Sequence, residues 1–158
     1  MGYIEFNLIQ LNLKQLKTRI NRKGRQILMS VAVRYYSRSG NTKAMAEAIA
    51  KTAGVSAVSV DAGNAGINEP VDVLFIGGAL YAYGIDAHLK EYLKMLDKSK
   101  VKKAVVFSST WISKHSIALI KDGLKEQGID VAEEAMYVRG KPGTEQLKEA
   151  EVFAGKFL

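Results

Sequence analysis

The chain has 158 residues, the length of one domain with a real core, and its 47% hydrophobic and 25% charged residues are an ordinary globular balance. No apolar run approaches the roughly 18 residues that a membrane span needs. Cys is absent, which excludes disulfides, thiolate metal sites, cysteine-ligated iron–sulfur clusters and a cysteine nucleophile.

The net charge is +7, and it is concentrated at the start of the chain. Residues 1–26 hold Lys14, Lys17, Arg19, Arg22, Lys23 and Arg25 against Glu5 alone, which is +5 and leaves +2 for the rest. Such asymmetry can mark a tail that meets an anionic surface, but a charge run is more often a solvated face. No nucleic-acid partner is expected. Ile9, Leu13, Leu16 and Ile20 form one helical stripe, while Ile4, Phe6 and Leu8 alternate with Glu5 and Asn7 as in a strand. Residues 1–26 are therefore read as a basic, partly helical extension, closed by the linker-like Lys23-Gly24-Arg25, and 27–158 as the globular domain. Polar residues interrupt the apolar stretch and no small-residue cleavage site follows, which argues against a secretory signal. A cytoplasmic location is expected. Met29 is followed by Ser30-Val31-Ala32-Val33, and residues 1–28 read as an addition to the domain, with a homodimer through residues 1–26 as one use for it.

From Ile27 strands alternate with helices. Residues 27–36 read as a strand and Thr42–Thr52 as a helix with Met45, Ala48, Ile49 and Thr52 on one side. Val55–Val60 is a short strand, and Asp61–Pro70, with its Gly, Asn and Pro, is a loop or a degenerate helical turn. Val71–Ile76 is apolar apart from Asp72, the mark of a strand buried on both faces. Asp86–Leu96 is a helix, Ala104–Phe107 a buried strand, and Ser116–Gln127 a helix ended by Gly128. Val131–Val138 and Thr144–Phe157 complete the pattern as strand and helix. This alternation implies a parallel sheet covered on both faces. Ligands of such sheets bind beyond the carboxyl ends of the strands. Four loops then share one rim: Ser37–Asn41, Gly77–Ile85, Ser108–His115 and Arg139–Gly143.

Ser37-Arg38-Ser39-Gly40-Asn41-Thr42 follows a strand and opens a helix. A helix N-terminus offers free N–H groups and a positive dipole end to an anion. Gly40 lets the backbone approach a phosphate, Ser37, Ser39 and Thr42 supply hydroxyls, and Arg38 supplies charge. The run is neither a Walker loop nor a dinucleotide glycine pattern. A second loop, Gly77 to Ile85, holds Gly78, Ala79, Leu80, Tyr81, Ala82 and Tyr83, and a third holds Ser108, Ser109, Thr110 and Trp111. Aromatic residues in two loops flanking one switch point suit a planar π ligand, with hydroxyls beside it for polar contacts. The bland alternatives are a capping turn at Ser37–Thr42 and rim packing for the aromatics.

The run Ser37, Ser39, Gly40, Thr42 resembles the phosphate loop of the short-chain flavodoxin family, a Ser/Thr-x-Ser/Thr-Gly-x-Thr pattern after the first strand. The resemblance extends over Ile27–Leu158. It implies an α/β, flavodoxin-like three-layer sandwich with a five-stranded parallel sheet of order 2-1-3-4-5, here carrying an N-terminal extension. It also implies one non-covalent FMN, with the phosphate at Ser37, Arg38, Ser39, Gly40, Asn41 and Thr42. The ring would lie between the loop of Gly78–Tyr83 and the loop of Ser108–Trp111, flanked by Tyr81 or Tyr83 and by Trp111. The function implied is electron transfer with redox partner proteins. Arg38, Lys114, Arg139 and Lys141 share the rim with Asp86 alone nearby, where acidic flavodoxins carry carboxylates, so an acidic partner is expected. The Gly78–Gly84 stretch is also similar to the corresponding loop of menaquinone-dependent protoporphyrinogen oxidase, without that enzyme's long insertion at the fourth loop. A flavodoxin-fold oxidoreductase acting on a quinone or porphyrinogen is therefore an alternative, and a flavin-free binding module or a polyanion-binding protein are others. His88 and His115 lack the carboxylate company of a metal site and read as surface residues. No catalytic residue and no metal ligand is assigned.

Overall fold

The computed structural model describes residues 16–20, 26–82 and 84–158. Eight strands are described: β1 Leu16–Ile20, β2 Gln26–Tyr35, β3 Ala57–Ser59, β4 Val71–Gly78, β5 Leu80–Tyr81, β6 Gly84–Ile85, β7 Val101–Thr110 and β8 Met136–Arg139. The helices are α1 Asn41–Ala53, α2 Ala87–Met95, α3 His115–Glu126 and α4 Thr144–Gly155. Five strands pair in parallel in the order β3-β2-β4-β7-β8. Counted along the chain, that order is 2-1-3-4-5, as expected. β1 adds to the N-terminal part of β2 as an antiparallel partner.

The period-2 alternation of the strands divides the core into two layers. Met29, Val31, Val33 and Tyr35 of β2, with Val73 and Phe75 of β4 and Val105 and Phe107 of β7, face α1 and α4. The intervening residues, Ala32, Leu74, Ile76, Ala104 and Val106, face α2 and α3. The central strands are covered on both sides, which is why they read as continuous apolar runs. Gly54 and Gly128 end α1 and α3 in the left-handed region, at φ 71° and 75°, and donate back to the last turn.

Three expectations are corrected. The helical stripe through Ile9, Leu13, Leu16 and Ile20 is broken in its described part, because Leu16–Ile20 is a strand paired with Gln26–Ser30. The rest of that stripe lies outside the described residues. The last strand spans Met136–Arg139 rather than Val131–Val138, and Val131 makes only a single bridge to Ala104. The third strand runs on to Gly78, and the stretch after it is a short hairpin, β5 with β6, instead of open loop. The second crossover, Asp61–Pro70, contains turns and no helix, one of the two forms expected for it. Among the described residues no helix is long and apolar enough to cross a membrane.

The two partnerships of β2 do not overlap. β1 pairs with Gln26–Ser30, whereas β3 and β4 pair with Val31–Tyr35. A chain beginning at Met29 should therefore keep every parallel pairing and fold as a monomeric, cooperatively melting domain. Circular dichroism and size-exclusion chromatography test this; an insoluble or non-cooperative product would make the extension part of the domain.

Candidate functional site

The carboxyl ends of β2, β4, β7 and β8 lie side by side, so the loops that follow them share a rim. The first is Ser37–Gly40, leading into α1. Gly40 sits at φ 90°, a conformation that strains any L side chain. A Cβ placed there would meet nothing within 4 Å, so the loop is open toward the rim. Ser37 Oγ accepts from the Gly40 N–H at 3.0 Å and Ser39 Oγ from the Asn41 N–H at 3.5 Å. Each hydroxyl thus spends an acceptor position on closing the turn. Among the described residues neither has an acceptor for its own hydrogen. The first intrahelical bond runs from Ala44 N–H to Gly40 O at 3.0 Å, which leaves the N–H groups ahead of it without a helical partner. No acidic residue stands in the first turn of α1. Thr42 is buried beneath the loop and Asn41 is half-buried. Hydroxyl hydrogens, free amides and the dipole end of a 13-residue helix form a donor set suited to a phosphate-sized anion.

The second loop meets the first. The Arg38 N–H donates to Tyr81 Oη at 3.1 Å, and the Arg38 guanidinium lies over the Tyr81 ring, 4.0 Å from its centroid. The same guanidinium pairs with Asp86, donating from Nε at 3.1 Å and from Nη2 to one carboxylate oxygen. The other oxygen of Asp86 accepts from the His88 N–H at 2.8 Å and lies 2.8 Å from His88 Nδ1, so Asp86 also caps α2. The His88 ring stacks on Tyr36, with centroids 5.0 Å apart. Asp86 is 6% exposed. Burial pushes its carboxyl up, but hydrogen bonds from Arg38 and from the backbone N–H and ring Nδ1 of His88 outweigh this and hold it below the usual carboxylate range. That stabilisation is in place at neutral pH and is lost as pH falls through the lowered value. Burial also raises the Tyr81 hydroxyl against the opposing effect of Arg38.

Among the described residues, the remaining expected site residues lie on β4, the hairpin, β7 and the loop after β7. Gly78 is buried at the end of β4, where a Cβ would lie 2.4 Å from Leu89; at Gly77 it would lie 2.2 Å from the Phe107 ring. These glycines serve close packing behind the rim. Leu80 is buried, Ala79 half-buried, and Ala82 exposed at φ 52° in the β5–β6 turn. Tyr83 lies outside the described residues. Ser108, Ser109 and Thr110 are buried, and their hydroxyls stitch the sheet to its loops. Ser108 Oγ donates to Gly78 O at 2.6 Å and lies 2.6 Å from Ser116 Oγ. Ser109 Oγ donates to Gly140 O at 2.7 Å, and Thr110 Oγ1 accepts from the Ile112 N–H at 3.2 Å. Trp111 and Ile112 stand out at 67% and 63% exposure, and Trp111 rests on Gly140, where a Cβ would meet its ring at 2.4 Å.

Sequence reasoning missed Asp86 and His88 as a pair. His88 is exposed, as expected, but it has a carboxylate in contact. An Asp two residues before a His at a helix start was the available signal. The basic rim is also smaller than the sequence suggested. Arg38 is neutralised by Asp86 and Lys114 lies 5.4 Å from the Tyr137 ring, while Arg139 and Lys141 are exposed.

Comparison with known proteins identifies the family and the fold. A family model described as a flavodoxin domain matches residues 32–157. A flavodoxin from an archaeon superposes with a TM-score of 0.65 at 25% identity, covering 80% of this chain and 94% of the other. Oxidised flavodoxin 1 of Bacillus cereus gives 0.65 at 23%, covering 80% and 95%. A flavodiiron core from Synechocystis gives 0.66 at 24%, with 80% of this chain matching 34% of that one. A comparison with curated proteins returns no match. Since the family match runs from within the first parallel strand through the last helix, this chain belongs to the flavodoxin family.

Proposed function

We propose that the protein binds one non-covalent FMN and serves as an electron-transfer protein. The observation that carries this reading is the loop Ser37–Thr42: an open turn with Gly40 at φ 90°, uncommitted hydroxyl hydrogens and no carboxylate, at the start of α1. That donor set fits a phosphate dianion. Ser37, Ser39, Thr42 and the first amides of α1 would hold the phosphate, with Arg38, already paired with Asp86, between the two serines. Trp111, exposed at the rim, and Tyr81, half-buried beside the phosphate loop, would flank the ring. Bound FMN supplies one- and two-electron transfer; the protein fixes its position and its electrostatic surroundings. Redox proteins are the partners of this reading, and the cytoplasm is its setting.

The purified protein should be yellow, and its apoprotein should bind FMN stoichiometrically. Replacing Ser39→Ala with Thr42→Ala removes hydroxyls available to a charged acceptor, each such bond being worth about 1.5–3 kcal/mol. FMN affinity should fall at least about tenfold in a fluorescence titration, with riboflavin affinity nearly unchanged. Equal loss for both ligands would make the loop a structural cap. A colourless protein that binds neither flavin would favour a flavin-free module.

Lys114, Arg139 and Lys141 should stabilise negative charge on a reduced ring. A unit charge about 8 Å away in an effective dielectric near 40 contributes about 1 kcal/mol. For one electron this is about 40 mV, and screening reduces it. Neutralising all three with Gln should lower the second one-electron potential by some tens of millivolts at low salt, and less at high salt. A spectroelectrochemical titration that shows no change would place these charges away from the cofactor.

A second reading, an oxidoreductase with its own quinone or porphyrinogen substrate, is favoured by the Asp86–His88 pair. A carboxylate at Nδ1 orients the imidazole and leaves Nε2 of an exposed ring free to handle a proton. Saturable turnover of such a substrate that is lost in His88→Gln would favour the enzyme over the carrier.

A further inference from the structure

Asp86 lies outside the phosphate loop, yet it holds the residue at the loop's centre. Arg38 stands between the two serines that close the turn. Its side chain is long and rich in rotamers, and it gains a single position only if something fixes it. Asp86 does so by taking two guanidinium nitrogens on one oxygen, while the Tyr81 ring takes the guanidinium face at 4.0 Å. The backbone is held as well, through the Arg38 N–H and Tyr81 Oη at 3.1 Å. Asp86 is in turn anchored by its other oxygen to the first turn of α2, through the N–H and the ring of His88. The phosphate loop is thereby tied to two further elements, the β5–β6 hairpin and α2.

The carboxylate has two jobs that can be separated. As the cap of α2 it needs only an oxygen that accepts from His88 N–H, and Asn does this as well as Asp. As the partner of Arg38 it needs its charge, because a charge-assisted bond is about twice as strong as a neutral one. Side-chain burial at Asp86 leaves little room for water to replace the lost charge.

We propose that Asp86 is a positioning residue for the cofactor: by holding Arg38 against Tyr81 it pre-sets the phosphate loop, and so confers preference for a phosphorylated flavin over its dephosphorylated form. This rests on the reading of the rim as an FMN site. Preorganisation of the loop lowers the cost of ordering it around the phosphate, and the benefit is confined to ligands that carry one.

The test is titration of the full-length apoprotein with FMN and with riboflavin, followed by flavin fluorescence, alongside thermal melts. Failure of the parent protein to bind FMN would overturn the FMN reading itself, and this proposal with it. If the parent binds FMN, Asp86→Asn should weaken FMN about tenfold and leave riboflavin within about twofold, with little change in Tm, because the cap is kept. Arg38→Gln should weaken FMN at least as much. The double variant should be no worse than Arg38→Gln, since the two groups act as one unit. Arg38→Lys keeps the charge but loses the two-nitrogen grip and the flat stacking face, so it should show the same selective loss to a smaller degree. Equal weakening of both flavins, or a fall in Tm with unchanged FMN preference, would reduce Asp86 to a helix cap. Tighter FMN binding by Asp86→Asn would mean that Asp86 competes with the phosphate for Arg38. Either result overturns the proposal. Should Asp86→Asn not fold, the comparison of Arg38→Lys with Arg38→Gln decides on the same ligand ratio.

Discussion

Leu74, Phe75 and Ile76 of β4 have no solvent exposure, and neither do Val105, Val106 and Phe107 of β7. A strand buried on both faces must find apolar neighbours above and below, and its backbone groups must be paired on both edges. β4 and β7 meet both demands by pairing with each other in the middle of the sheet, under α1 and α4 on one side and α2 and α3 on the other. With the faces covered, polar chemistry is confined to the strand ends. The packing is close enough at that edge that Gly77 has no room for a Cβ against Phe107, nor Gly78 against Leu89. The rim therefore begins where the core stops admitting side chains.

On that rim, buried polar groups are used to hold the loops. Ser108, Ser109 and Thr110 are the clearest case. Each hydroxyl would be costly to bury unpaired. Each is spent within the protein, on Gly78 O with Ser116, on Gly140 O, and on the Ile112 N–H. Composition alone made them candidates for contacting a flavin, but it cannot distinguish a hydroxyl facing out from one stitching two strands. Ser37 and Ser39 differ from Ser108 and Ser109, which donate to Gly78 O and Gly140 O: each accepts one bond, as the buried Thr110 does, but stands exposed or half-buried in the loop with its hydrogen unspent. The difference between these two groups of hydroxyls is burial, which follows from whether the chain is still in a strand or has already turned.

Elements with strong periodicity were legible in the sequence. The five parallel strands and four helices were each found, with ends off by a few residues. The exceptions have physical causes. Leu16–Ile20 carries residues that fit a helical stripe, yet it lies beside Gln26–Ser30, and pairing with a neighbouring strand overrides a short periodic signal. Val131–Ala135 includes Glu133 and Glu134 and leaves the sheet after one bridge, so β8 starts late at Met136. The Ser37–Thr42 loop was visible because local residues build it. The link from Arg38 to Asp86 was not, because the partners are 48 residues apart and nothing local joins them. Charge counting on the rim failed for the same reason, since a count treats Arg38 as free when a buried carboxylate already neutralises it.

The second crossover shows the same logic away from the rim. Asp61–Pro70 joins β3 to β4 without a helix, so the sheet face above β2 needs another cover. Arg34 provides part of it. It is 9% exposed, its stem buried as long charged side chains can be. Its head donates to Ala65 O at 2.7 Å and to Val33 O at 3.0 Å, and Tyr92 Oη donates to the same Ala65 O at 2.6 Å. No carboxylate pairs with it among the described residues, so carbonyl dipoles balance its charge. The crossover is held at Ala65 O by these two donors and at Pro70 O by Ser30 Oγ, and cavities of about 360 and 580 Å³ flank it, the larger bordered by His88. On this side Tyr36, Asp86 and His88 build the shoulder of the rim, and the Ser37–Thr42 loop is braced by Asp86 at the start of α2 and by Tyr81 of the hairpin.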